Sequence, residues 1–228
     1  MKLKSVTFSF DDGVHQDGRL IDILDRYGLK ATFNLNSARF GEQRILNVRG
    51  TDVDYHRYES SEIAKVYRNH EVAAHTLTHR NLTQLPDAEV IYEVEQDRKN
   101  LSALCGYDVV GFAYPCGGIN NNDHVASLIK NHTGIRYART ISASNKFDFP
   151  ANLFRMCPTG KQAEFSNIAR SAESFLAAKP SHPMLLYIWG HSYDFDADQS
   201  WDLFDDFCKL ISNRDDIFYG TNSEVLLK

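Results

Sequence analysis

Short β-forming runs alternate with segments of helical periodicity along this chain, and that alternation most constrains its fold. Residues 6–10 form a β-rich run ending in Asp11-Asp12-Gly13, a turn. Leu20, Ile21, Ile23 and Leu24 fall at helical spacing within 17–27, and Gly28 stops that helix. Residues 31–36 alternate as a second strand, 71–74 form a third, and 108–114, 134–140, 184–189 and 217–219 continue the series. Between them, 60–69, 86–104, 122–131, 165–178 and 201–211 read as helices, and a short helix follows 219. Residues 40–58 have few apolar positions and mixed charge and read as a long loop, either a substrate wall or an interface; 145–161, with Pro150 and Pro158, read as irregular. Repeated strand–helix units with near-continuous apolar strands predict an α/β fold, a parallel sheet covered by helices. The polar candidates fall just after the strands, where such folds place their active sites.

The 228 residues suit one domain over 1–228, and 43% hydrophobic residues supply its core. A net charge of −5 argues against a nucleic-acid partner, which shows a basic excess. No stretch approaches the roughly 20 apolar residues of a membrane helix. No apolar leader precedes the first strand, so the sequence predicts a cytoplasmic protein without membrane association. Cys105, Cys116, Cys157 and Cys208 form no CxxC pair and read as free thiols.

Four segments could carry chemistry. Asp11-Asp12 sets two carboxylates side by side after an apolar strand, so that one can bind a metal while the other acts on a water; alone, Asp-Asp-Gly is ordinary turn chemistry. His75 and His79 are four apart and share a face if the segment makes a helical turn, although nine histidines also allow two surface ones. With a carboxylate from another strand end they make a His-His-Asp set suited to a catalytic zinc or a similar divalent ion. Tyr114-Pro115-Cys116-Gly117-Gly118 exposes backbone after a strand, either a tight turn or an N–H aimed at an oxyanion. His191, closing 184–191, is placed either to protonate a leaving amine or to bond the backbone.

Taken in order, Thr7-Phe8-Ser9-Phe10-Asp11-Asp12-Gly13, His75-Thr76-Leu77-Thr78-His79, Phe112-Ala113-Tyr114-Pro115-Cys116-Gly117 and Leu186-Tyr187-Ile188-Trp189-Gly190-His191 resemble the motifs of the polysaccharide deacetylases, carbohydrate esterase family four. The resemblance implies a distorted (β/α) barrel, usually of seven strands. It implies that Asp12, His75 and His79 bind one divalent metal ion, zinc first, with cobalt or nickel as alternatives. It makes Asp11 the general base and His191 the general acid. It gives the Cys116 N–H a share in holding the oxyanion, with Tyr114 beside it. The implied reaction removes an N-acetyl group from an amino sugar or oligosaccharide. The alternatives are an amidohydrolase of the same fold acting on a small amide or cyclic ureide, and a non-catalytic carbohydrate-binding relative.

The chain departs from the family at three points. Ala113 stands where the family has an Arg that orients the base, and Arg139, at a later strand end, is the candidate replacement. Cys116 stands where an aromatic is usual. Gly190 precedes His191, and Ser192-Tyr193-Asp194 follow it as residues that could shape the pocket.

Overall fold

A computed structural model describes residues 2–227; Met1 and Lys228, the ends of the expected domain, lie outside the described residues. The elements run β1 (Lys4–Asp11), α1 (Gln16–Arg26), β2 (Ala31–Leu35), β3 (Gln43–Val48), β4 (Thr51–His56), α2 (Ile63–Val66), β5 (Glu71–Ala74), α3 (Asp87–Cys105) and β6 (Gly111–Ala113). They continue with α4 (Asp123–His132), β7 (Tyr137–Arg139), β8 (Gly160–Lys161), α5 (Phe165–Ala177), β9 (Met184–Gly190), α6 (Tyr193–Ala197), α7 (Trp201–Ile211), β10 (Ile217–Tyr219) and α8 (Asn222–Leu226). No helix among the described residues is long and apolar enough to cross a membrane.

One sheet runs β7-β6-β5-β2-β1-β9-β8, with every pairing parallel. β10 takes the edge of β1 at Lys4–Val6 and β2 takes the same edge from Phe8 on, so eight strands fill seven positions. The sheet curls into the expected distorted (β/α) barrel. Its gap is bridged by irregular chain: Leu153 and Met156 bond the backbone of Ala138, and Thr159 N donates to Tyr187 O at 2.7 Å.

β1 corrects the expectation of near-continuous apolar strands. It is buried throughout, yet it alternates. Val6, Phe8 and Phe10 face the helices, with Phe8 6.0 Å from Phe204 of α7 and Phe10 6.3 Å from Phe195 of α6. Burying each such aromatic contributes about 1.5–3 kcal/mol. Thr7, Ser9 and Asp11 point the other way, into the lumen. Asp11 reaches Arg139 on β7, four strands away, which only a curled sheet permits.

The lower end of the lumen, at the strand starts, is closed by α8. Asn222 accepts from Thr7 Oγ1 and donates to Tyr187 Oη, while its backbone N donates to Thr32 Oγ1. Glu71 sits in the same plug, accepting from Thr32 Oγ1, Tyr137 Oη and Ser223 N.

Residues 40–58 are not a loop. β3 and β4 form an antiparallel hairpin over the upper rim. Its two-residue turn, Arg49-Gly50, has φ of +52° and +91°, as two-residue hairpin turns require. Val48, Val53 and Tyr55 are buried against Val14 and Tyr193, which is enough apolar surface to seat the hairpin. The segment hid because its turn lacks the Asn-Gly signature and its outward positions mix Gln43, Ile45 and Asn47 with Asp52 and Asp54.

Candidate active site

The strand tops gather Asp11, Asp12, His75, His79 and His191 around one cavity of about 460 Å3; Arg139 lies buried behind Asp11, and the hairpin forms one wall. The two carboxylates diverge because Asp12 leaves β1 at φ +87°, one of four positive-φ non-glycine residues at this rim with Thr76, His79 and Cys116. Such conformations cost about 1–3 kcal/mol each and persist only where surroundings impose them.

His75 and His79 come together, with ring centroids 5.0 Å apart, but not on a helical turn. That expectation is corrected. The segment is a tight loop with Thr76 at φ +66° and His79 at φ +63°, and the strand that precedes it cannot pass into a helix at Thr76. Buried polar groups impose this shape. Asp97 of α3 accepts from His75 N, and Glu93 accepts from Thr78 N and Thr78 Oγ1. Asn36 donates to the carbonyls of His75 and Thr76. Sequence reasoning missed these three residues, since nothing in a helical or strand pattern marks a polar residue as turned inward.

Donor atoms of Asp12, His75 and His79 lie within 4.8 Å of one another. His75 Nδ1 is 2.8 Å from Ala113 O, so it carries the proton and leaves the Nε2 lone pair facing the cavity. Burial lowers the His75 pKa to about 4, with His79 and Arg139 adding to the fall against Asp11 and Asp12, so the imidazole is neutral at pH 7, as a ligand must be. A carboxylate and two neutral imidazoles with open cavity beside them fit a divalent cation.

Asp11 is held by Arg139, whose Nη2 lies 2.5 and 2.6 Å from its two oxygens, and by Asn34 Nδ2 at 2.8 Å. Burial pushes the Asp11 pKa up, but Arg139, His75 and His191 outweigh it and hold the group below its ordinary value. Arg139 thus stands against Asp11 from a different strand end than Ala113.

Asp12 has its own arginine, one that no motif marks. Arg57, just past β4, donates to Asp12 Oδ1 at 3.0 Å and also bonds Asp12 O, Asn36 Oδ1 and Tyr55 Oη. Against the upward push of burial, Arg57 and the three histidines keep Asp12 well below the usual carboxylate range.

His191 stacks on Tyr193, 4.8 Å between centroids, and its Nδ1 is 3.2 Å from Asp194 Oδ2. Burial opposes a charged imidazole, but the Asp194 bond and the charges of Asp12 and Asp11 raise its pKa above the ordinary value. Arg49, at the hairpin tip, bonds the other oxygen of Asp194 at 3.0 Å. Asp194 lies in the segment the sequence marked as pocket-shaping. Tyr114 is a wall residue whose donors are engaged, Oη by Phe154 O at 2.8 Å and N by Arg139 O at 3.0 Å. The Cys116 backbone N–H has no acceptor among the described residues, and the cavity touches this residue.

The family model for polysaccharide deacetylases matches residues 1–138. A probable peptidoglycan-N-acetylglucosamine deacetylase of Arthroderma benhamiae is 33% identical over 91 residues, 40% of this chain and 18% of that protein's length. Among solved structures, a family 4 acetyl xylan esterase from Clostridium thermocellum, in complex with a cobalt ion, superposes with a TM-score of 0.60 at 15% identity, covering 97% of this chain and 89% of that one. A family 4 pseudoenzyme from Bacillus anthracis gives 0.56 at 17% identity, covering 98% and 65%. An esterase and a pseudoenzyme share this fold, so its site residues must decide what the chain does. The match over more than half of its length shows that the chain belongs to the polysaccharide deacetylase family.

Proposed function

We propose that this chain is a single catalytic domain that hydrolyses an N-linked acyl group, an N-acetyl, on an amino sugar or oligosaccharide, using one divalent metal ion. The observation that carries the reading is the convergence of Asp12, His75 and His79 beside a carboxylate held by Arg139 and an imidazole held by Asp194. A bound divalent cation supplies Lewis acidity toward the acyl carbonyl and makes water more acidic.

The chain's residues do the rest. Asp11, kept ionised and fixed by Arg139, takes a proton from the attacking water. The Cys116 N–H donates to the carbonyl oxygen as negative charge grows there. His191, protonated through Asp194, gives its proton to the nitrogen as the C–N bond breaks. The acyl carbon leaves with the water oxygen as acetate, and the amine leaves with the proton. Each general acid–base step supplies roughly 10²–10⁴-fold.

The test is acetate release from N-acetylglucosamine and its β-1,4 oligomers, before and after chelation and after adding back zinc, cobalt or nickel. Release lost on chelation and restored by one ion supports the reading. Release indifferent to chelation contradicts its metal dependence, and no release with any ion contradicts the substrate class.

A further inference from the structure

The chain carries a net charge of −5, yet the cavity wall presents Arg39, Arg44, Arg57 and Lys161. Pairing these cations with their carboxylates leaves Arg44 without one and Lys161 with a shared one. Arg57 is taken by Asp12. Arg39 forks onto Glu42, with bonds of 2.7 and 2.8 Å. Asp11 belongs to Arg139 beneath the cavity. Arg44 is exposed and has no hydrogen bond or ion pair among the described residues; Glu42 feels its charge, but both Glu42 oxygens are bonded by Arg39. Lys161 Nζ is 3.8 Å from Asp194, a long ion pair to a carboxylate that also bonds His191 and Gln162, while Arg49, which touches the other Asp194 oxygen, has Asp198 as well.

Both cations rest on aromatic rings of the cavity wall. The Arg44 guanidinium carbon is 4.5 Å from the centroid of Tyr55, its cross-strand neighbour on the hairpin, and Lys161 Nζ is 5.4 Å from that of Trp189. A guanidinium stacked this way keeps its in-plane N–H donors free for an oxyanion. Trp189 Nε1, buried in that wall, also has no acceptor. A neutral acetamido sugar offers Arg44 and Lys161 no opposite charge, whereas an acidic one does.

Resting on the deacylase reading above, we propose that the substrate of this site is anionic, an N-acyl amino sugar that also bears a carboxylate or phosphate, and that Arg44 and Lys161 hold that group at the cavity mouth. Arg44 comes from the hairpin and Lys161 from β8, so in this proposal the hairpin contributes to specificity.

The test compares kcat/KM for acetate release from N-acetylglucosamine, N-acetylglucosamine 6-phosphate and N-acetylglucosaminuronic acid, in wild type, Arg44→Gln and Arg44→Gln/Lys161→Met. Calorimetric binding of the three sugars runs in parallel. One of the anions should be preferred over the neutral sugar by about tenfold or more, and the better anion identifies phosphate or carboxylate as the group held. The anionic-to-neutral ratio should fall in the single variant and approach one in the double variant. The preference should shrink as salt rises toward 1 M, where charges are screened within about 3 Å. A ratio near or below one for both anions, or a ratio unchanged in the double variant, overturns the proposal. If none of the three sugars releases acetate, the deacylase reading fails for them and binding decides: anion-dependent binding lost in the double variant upholds the anion site, and absent or charge-independent binding overturns it.

Discussion

Two buried carboxyls inside this barrel meet opposite fates. Asp11, at the upper end of β1, faces the Arg139 guanidinium and is held below its ordinary pKa. Glu71, at the lower start of β5, is pushed above its ordinary value by burial, because its partners are hydroxyls and one backbone N–H, with no cation. Burial raises both groups; a neighbouring positive charge decides which stays ionised. The upper end is therefore equipped to move protons, and the lower end to close the lumen.

The largest effect should come from removing the upper carboxylate's charge. Asp11→Asn should lower kcat by about 10²–10⁴-fold while divalent metal content is retained, since the proposed ligand set is Asp12, His75 and His79. Loss of metal with the activity would merge the two roles that the geometry separates. Next, Arg139→Ala strips Asp11 of its cation and should destabilise the fold by about 3–5 kcal/mol, read from denaturant unfolding, with activity falling as well. Stability within error of wild type would mean that Asp11 does not depend on Arg139 for its charge.

A smaller change should follow at His191. Its pKa is raised with help from Asp194, and it must be protonated to act as an acid, so activity should fall as pH rises through that value. Asp194→Asn removes the supporting charge and should move the high-pH limb of kcat to lower pH. An unmoved limb would exclude His191 as the group it reports.

The smallest effect belongs to the lower end. Because the folded pKa of Glu71 exceeds its ordinary value of 4.5, its contribution to stability is fully present below about pH 4.5 and is lost as pH rises through the folded value. Glu71→Gln has no proton to lose, and its amide can donate to Tyr137 Oη. It should therefore gain Tm relative to wild type between pH 4.5 and 8, by about 2–4 °C for each kcal/mol, with turnover unchanged.

The same contrast explains what could be read from the chain. Strand tops announce themselves, since apolar runs end in Asp11-Asp12-Gly13, His75 and Gly190-His191, and Arg139 could be picked out as a charge at a strand end. The polar lumen was hidden because Thr7 and Ser9 occupy alternate positions of a strand buried on both faces. Arg57 and Arg49 were hidden because their hairpin has mixed outer positions and an atypical turn. The histidine pair was legible as a pair, but its loop depends on Asn36, Glu93 and Asp97, which are distant in sequence and visible only once packed.

The most direct measurement is metal stoichiometry on purified wild type beside His75→Ala/His79→Ala, after loading with zinc, cobalt or nickel and removal of free ion. About one divalent ion per chain is expected in wild type and none in the double variant. No ion taken up by wild type, or equal uptake by both proteins, would contradict it.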